Sequence, residues 1–258
     1  MNQAKIFRNK AFIRNLYQKG PFQGHAFSAT GPHEPVYRYP KGCYTLSDAP
    51  VSEWLPWAIG NYRTQLDWFE RLEHDGVPQV QLNTGTHIYA AAFGCPVKTY
   101  GDNNPFAMPC VESAEEADHI AEPDIWKTPV IYRIFELAEA IRKELGPEVD
   151  FAPCDMQTGF DTAALIWNKQ DMFCAMCDEE TQPAVHRLVD KCARFLKKVM
   201  VELRREFPTM SPCHCPMTWS PPELAPWVSN DECGALSTGM FEEFCLPELV
   251  DLSETFGG

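Results

Sequence analysis

The sequence is short of positive charge. Lys and Arg number 22 against 36 Asp and Glu, a formal net charge of −14. Nucleic acid and anionic membrane surfaces need a basic face, so neither is an expected partner. A small anionic ligand stays compatible, because a few local arginines serve it inside a cleft. No apolar run approaches the roughly 18 residues of a membrane-spanning helix. The basic opening stretch MNQAKIFRNKAFIRN is not followed by an apolar segment, which reads against an ordinary secretory leader. No GxSxG, Walker or HExxH pattern occurs, and glycines 85, 94 and 101 form no phosphate loop. Low-complexity segments and internal repeats are missing too.

Cysteine, by contrast, is plentiful, with 11 in 258 residues. In a short secreted chain that would mean disulfides. Here the count is odd, the chain is long and no leader is read, so reduced thiols in the cytoplasm are expected. Most of these cysteines lie in apolar stretches, where the thiol packs as a small hydrophobe. The C-A-M-C spacing of Cys174 and Cys177 falls in a Met-rich, helix-like stretch and reads as core, as does Cys192. With 45% hydrophobic and 22% charged residues, the chain is long enough to bury a sizeable core.

Residues 1–60 are rich in Gly, Pro and aromatics, and read as a short first helix followed by ordered loops, with a strand near 23–28. Helical periodicity begins in 61–75, where Tyr62, Leu66, Phe69 and Leu72 share a face. Strands are predicted over 77–82, 149–155 and 210–215. Helices are predicted just before Gly94, from the Ser113/Glu116 capping box to about 120, over 129–145 between Pro129 and Gly146, as two short pieces in 159–178, over 181–206, and over 238–256. Strands that alternate with helices point to parallel βα units.

Cys213-His214-Cys215 is the most conspicuous local cluster. Thiolate and imidazole suit zinc. On a strand, however, Cys213 and Cys215 face one way and His214 the other, so three neighbours cannot all aim at one ion unless the strand ends there. Pro216 favours such an ending. The reading that results is a strand end with His214 lining a pocket, and Cys215 as an incomplete metal ligand.

Four stretches, taken together, resemble the uroporphyrinogen decarboxylase superfamily, which includes the true decarboxylases and the cobamide-dependent methyltransferases. They are G-T-H-I-Y-A-A-A-F-G-C-P-V in 79–98, P-C-V-E-S-A-E-E-A-D-H-I in 109–120, D-M-Q-T-G-F-D-T-A-A-L-I-W from Asp155, and W-V-S-N-D-E followed by A-L-S-T-G-M-F-E-E-F-C-L-P-E-L from Trp227. The resemblance implies a single α/β domain over 1–258, a (β/α)8 barrel left incomplete at the C-terminal end of this chain, with its site at the C-terminal ends of the strands. It also implies a zinc ion and a corrinoid in the full-length protein, with the remaining zinc ligands beyond residue 258. A tetrapyrrole or corrinoid ligand, and a corrinoid protein as partner, follow from the same resemblance.

Departures from the decarboxylase pattern favour the methyltransferase branch. The stretch GHAFSATGPHEP carries no arginine to grip substrate carboxylates, Asn83-Thr84-Gly85-Thr86-His87 carries no aspartate, and Leu165 stands where a tyrosine is expected. The expected chemistry is methyl transfer between a corrinoid and a small, thiol-like acceptor. Uroporphyrinogen decarboxylation and non-catalytic tetrapyrrole binding are the alternatives. On such a scaffold His214 and Asp155 are the expected catalytic residues, Asp155 as a proton shuttle or as the acceptor of a donor on the substrate. Asn83, His87, Gln157, Trp219 and Asp231 are the expected ligand contacts, with Trp219 and Trp227 as an apolar wall. Asp161, inside the next turn, reads as an acidic residue at a helix start.

Overall fold

The computed structural model describes residues 3–29, 49–100, 104–215 and 218–257. The first helix is α1 (Gln3–Tyr17); residues 18–29 are irregular, and the next described helix is α2 (Val51–Arg71). The strand expected over 23–28 does not form. Phe27 instead exchanges two backbone-level bonds with Asp75, its N–H donating to the carboxylate at 2.9 Å and its carbonyl accepting the Asp75 N–H at 2.7 Å. Helix α2 starts ten residues before the expected periodic stretch and runs through Pro56. A proline inside a helix costs about 3 kcal/mol. Burial of Ile59 and Phe69, about 1.5–3 kcal/mol each, together with fully enclosed Trp54, outweighs that.

β1 (Val80–Gln81) leads to α3 (Ile88–Ala92), which ends at Gly94 with φ of +101°, a conformation glycine adopts freely. An antiparallel hairpin of β2 (Val97–Lys98) and β3 (Phe106–Ala107) follows. α4 (Ala114–His119) opens on the expected cap, the Ser113 hydroxyl accepting the Glu116 N–H, with Glu116 reaching back to the Glu112 N–H. A 3₁₀ turn leads into α5 (Pro129–Leu145), which matches its predicted span residue for residue. Its Ile131, Ile134, Leu137, Ala138 and Ile141 form the buried stripe.

β4 (Phe151–Ala152) pairs in parallel with β1, Val80 opposite Phe151 and Gln81 opposite Ala152. On its other side Phe151 bridges in parallel to Met210. Three parallel neighbours thus lie in the order 80, 151, 210. The strands are shorter than expected because ladder bonds hold only at their centres. Past Met210 the Ser211 hydroxyl accepts the N–H groups of Cys213 and Ser220, and this turns the chain out of the ladder. The α/β expectation with parallel pairing through helical crossovers holds. A closed barrel is not what the described residues form.

α6 (Gly159–Ile166), α7 (Lys169–Ala175) and α8 (Gln182–Glu206) follow. α6 is buried nearly all round, and α8 buries a long stripe from Ala184 to Leu203. The two helices meet at Gly159, where an added Cβ would lie 2.6 Å from the Val189 carbonyl and the Ala193 amide. The expected final helix is two, α9 (Thr238–Phe244) and α10 (Leu246–Phe256), broken at Cys245 before Pro247. Cys192 is buried as expected, but Cys174 and Cys177 are exposed. Cys174 sits on the outer side of α7, whose core residues are Met172 and Ala175, and Cys177 lies just past the helix end. No described helix is long and apolar enough to cross a membrane.

Candidate functional site

The segments that leave the three parallel neighbours at their C-terminal ends are 82–87, 153–158 and 211–215, and they converge. The Thr84 hydroxyl accepts the backbone N–H of Asp155 at 3.0 Å, tying the first segment to the second. His214, from the third, places its Nε2 3.3 Å from Asp155 Oδ1. His214 is 6% exposed, and its imidazole tilts against the Trp227 ring at 5.4 Å between centroids. Trp227 is set there by its own N–H, which donates to the Pro212 carbonyl. One more parallel bridge, Gln157 to Ser229, extends the same end: the Ser229 N–H and hydroxyl both donate to the Met156 carbonyl, and the Thr158 N–H donates to Ser229.

Three polar atoms in this cluster are buried without a protein partner: Asp155 Oδ2, His214 Nδ1 and Gln157 Oε1. A buried polar group left unpaired costs about 1–3 kcal/mol, so three of them in one place mark somewhere a ligand or water completes the bonding. Two are acceptors, and the imidazole nitrogen accepts or donates according to tautomer. Chemically, the cluster is suited to binding a group with N–H or O–H donors and moving a proton at one of them.

Cys154 and Tyr89 stand just beneath. Their side chains meet at 4.0 Å, both fully enclosed. Burial, and secondarily the Asp155 charge, push the Cys154 thiol up to about 12, and burial raises the Tyr89 phenol well above its ordinary value. Neither group is a nucleophile at neutral pH, so they serve as packing under Asp155.

The remaining expected contacts separate. His87 is buried and Asn83 half-buried, both on the 82–87 segment beside Thr84. Cys215 is exposed. Among the described residues no three His, Cys, Asp or Glu side chains gather as a metal set, so the zinc implied by the resemblance does not fit these residues alone. Asp231 is exposed, and its backbone N–H donates to Asp161. Trp219 lies at the other end of the strands. Its Nε1–H donates to Asp150, which immediately precedes β4, and its ring packs with Ile6, Ile13, Phe69 and Val77 under α1. The turn at Ser211 carries residues 218–220 back to the strand starts, and so removes Trp219 from the expected apolar wall. GHAFSATGPHEP falls partly outside the described residues, from position 30 onward.

Sequence reasoning missed Thr84 as the brace for Asp155 and underrated two buried carboxylates. Asp161 accepts the N–H groups of Asp231 and Glu232 at 2.7 and 2.9 Å. Glu248, from α10, accepts the Gly159 N–H at the start of α6 with both oxygens. A carboxylate in a mainly apolar helical face, as in L-P-E-L-V, was the available signal for Glu248. A further open depression of about 520 Å³, lined by Pro50, Val51, Tyr132, Arg133 and Glu136, shares no residue with the His214 cluster.

No protein-family model matches the sequence, and no curated protein sequence matches it. In fold the chain is similar to a methyltransferase from Methanosarcina mazei, with a TM-score of 0.61 and 12% sequence identity over 97% of this chain and 67% of that one. At that identity the likeness is one of fold.

Proposed function

We propose that the chain is a methyltransferase-like enzyme of the uroporphyrinogen decarboxylase type, on a barrel-type scaffold, that moves a methyl group between a corrinoid and a small thiol-like acceptor. One observation carries this reading: His214 and Asp155 meet at the C-terminal ends of neighbouring parallel strands, among three unpartnered buried polar atoms. The likeness in fold to a methyltransferase supports it.

A corrinoid, when bound, supplies or takes up the methyl group. The chain's own part is to seat the acceptor and manage its proton. His214 takes the proton from the acceptor's S–H or O–H at its free ring nitrogen, and Asp155 holds the imidazole in place and balances the charge that results. Thr84 fixes the backbone of Asp155, and the Gln157 side-chain oxygen accepts a hydrogen bond from the acceptor. A zinc ion would need ligands from outside the described residues.

The test is to incubate the protein with methylcobalamin and 2-mercaptoethanol, following the corrinoid spectrum and the methylated thiol. Thioether formation that His214→Ala abolishes supports the reading. Release of CO2 from uroporphyrinogen without methyl transfer would move it to decarboxylation. A corrinoid spectral shift without turnover would move it to a holding role.

A further inference from the structure

Cys95 and Cys110 carry the second site. Their sulfurs lie 3.4 Å apart. Cys95 is 4% exposed, whereas Cys110 is open to solvent. Between them the chain leaves and returns as the β2–β3 hairpin, whose base is closed by the Met108 N–H donating to the Pro96 carbonyl at 2.8 Å. Both cysteines are held against the same helix end. The Cys95 sulfur sits 4.0 Å from the Leu165 carbonyl, and the Cys110 N–H donates to the Ile166 carbonyl at 2.9 Å. The sulfurs are therefore placed by α6 as well as by the hairpin. Bonding them requires an approach of about 1.4 Å, within the reach of a side-chain rotation.

We infer that Cys95 and Cys110 form a dithiol site for thiol–disulfide exchange, which a low-molecular-weight disulfide of the glutathione class oxidises to an intramolecular bond across the base of the hairpin. Cys110, as thiolate, attacks one sulfur of the small disulfide. One small thiolate leaves and takes up a proton from water, and Cys110 carries the other half as a mixed disulfide. Cys95 then gives its proton to solvent and attacks the Cys110 sulfur, expelling the second small thiolate. Two protein thiols are oxidised and one disulfide is reduced to two thiols, so atoms and electrons balance.

The order of attack follows from the surroundings. Burial, and next the hydrogen bond with Cys110, hold the Cys95 thiol above its ordinary value, while Cys110 meets solvent directly. Cys110 is the entry point and Cys95 the resolving partner. Of the other described cysteines, Cys154 and Cys192 are sealed in the core, and Cys174, Cys177 and Cys215 are exposed.

The experiment treats the full chain with oxidised glutathione at mildly alkaline pH, blocks remaining thiols by alkylation, and maps disulfides by peptide mass spectrometry. A linked Cys95–Cys110 peptide pair is expected, with the Cys110 adduct appearing only early. Cys95→Ser should stop at a persistent glutathione adduct on Cys110, and Cys110→Ser should leave Cys95 unmodified. Cys95→Ala repeats the first variant should the serine disturb folding. A wild-type chain that accumulates a lasting Cys110 adduct without the linked pair overturns the proposal. So does one that reacts at Cys174 and Cys177 while Cys110 stays free.

Discussion

His214 Nε2 stands 3.3 Å from Asp155 Oδ1, and the two residues are carried by segments leaving adjacent parallel neighbours, 59 positions apart in the chain. Nothing local fixes that meeting. It depends on the bridge from Phe151 to Met210, which sets the two segments side by side, and on Thr84, which holds the Asp155 backbone from the far side. Asp155→Asn keeps the shape and the Thr84 bond but removes the charge opposite the imidazole. Positioned proton transfer contributes about 10²–10⁴-fold to rate. Both Asp155→Asn and His214→Ala should therefore lower kcat for methyl transfer by about a hundredfold or more, with little change in melting temperature for the asparagine variant. Steady-state kinetics beside a thermal melt make the check. Unchanged kcat in either variant removes the pair from the chemistry.

Trp219 should behave as a structural residue. Its Nε1–H and Lys10 both serve Asp150, with Lys10 2.6 Å from the second carboxylate oxygen. Burial raises the Asp150 carboxyl and these two partners counter it. Trp219→Phe removes one bond to a buried charge and should cost about 1.5–3 kcal/mol. Lys10→Met takes away the counter-charge from a largely buried carboxylate and should cost as much or more. Ligand affinity measured on folded protein should stay at the wild-type level in both. A tenfold loss of affinity in Trp219→Phe would return that residue to the ligand wall.

The helices were legible because each carries its own signal. Thr128-Pro129 and Gly146 bracket α5, the Ser113/Glu116 pair opens α4, and a 3.6-residue stripe runs the length of α8. α2 was read short because residues 1–60, rich in Gly, Pro and aromatics, show little periodicity, whereas burial of Trp54 and Trp57 carries the helix from Val51 through Pro56. The strands were over-read, since apolar alternation marks an extended segment but not how many of its bonds a neighbour completes. His214 and Asp155 could be singled out by residue type and by the resemblance, but their contact could not. Trp219 went to the wrong end because the hydroxyl of one serine, Ser211, reverses the chain within a few residues. Sequence patterns contain no marker for that.

Gly159 should tolerate no side chain. A Cβ there meets backbone atoms of α8 at 2.6 Å on two sides, and backbone cannot rotate away as a side chain would. α6 would have to lift off α8, straining the Glu248 bond to the Gly159 N–H as it moves. Gly159→Ala should destabilise by about 1–3 kcal/mol or more, despite alanine's better helix propensity. Urea unfolding gives the number. A stabilised variant would mean that the two helices separate freely.

Stability should fall as pH rises from 5 to 8, and Glu248 should be the main reason. Burial pushes its carboxyl up to about 7 and that of Asp161 up to about 6, against the N–H bonds each accepts. Unfolded carboxyls titrate near 4. Between about pH 4 and 7 the folded chain thus holds protons that the unfolded chain has released. The contribution of these two groups is full below the unfolded values and is lost as pH climbs through the folded ones. Over pH 5 to 8 the loss is on the order of 4 kcal/mol, roughly two thirds of it from Glu248. Glu248→Gln keeps an oxygen for the Gly159 N–H and cannot ionise, so it should flatten the pH dependence by half or more and leave the variant more stable than wild type at pH 8. Chemical denaturation at pH 5, 6.5 and 8 measures both. A variant with the wild-type slope would show that Glu248 is already ionised across this range, held as an anion by the N-terminus of α6.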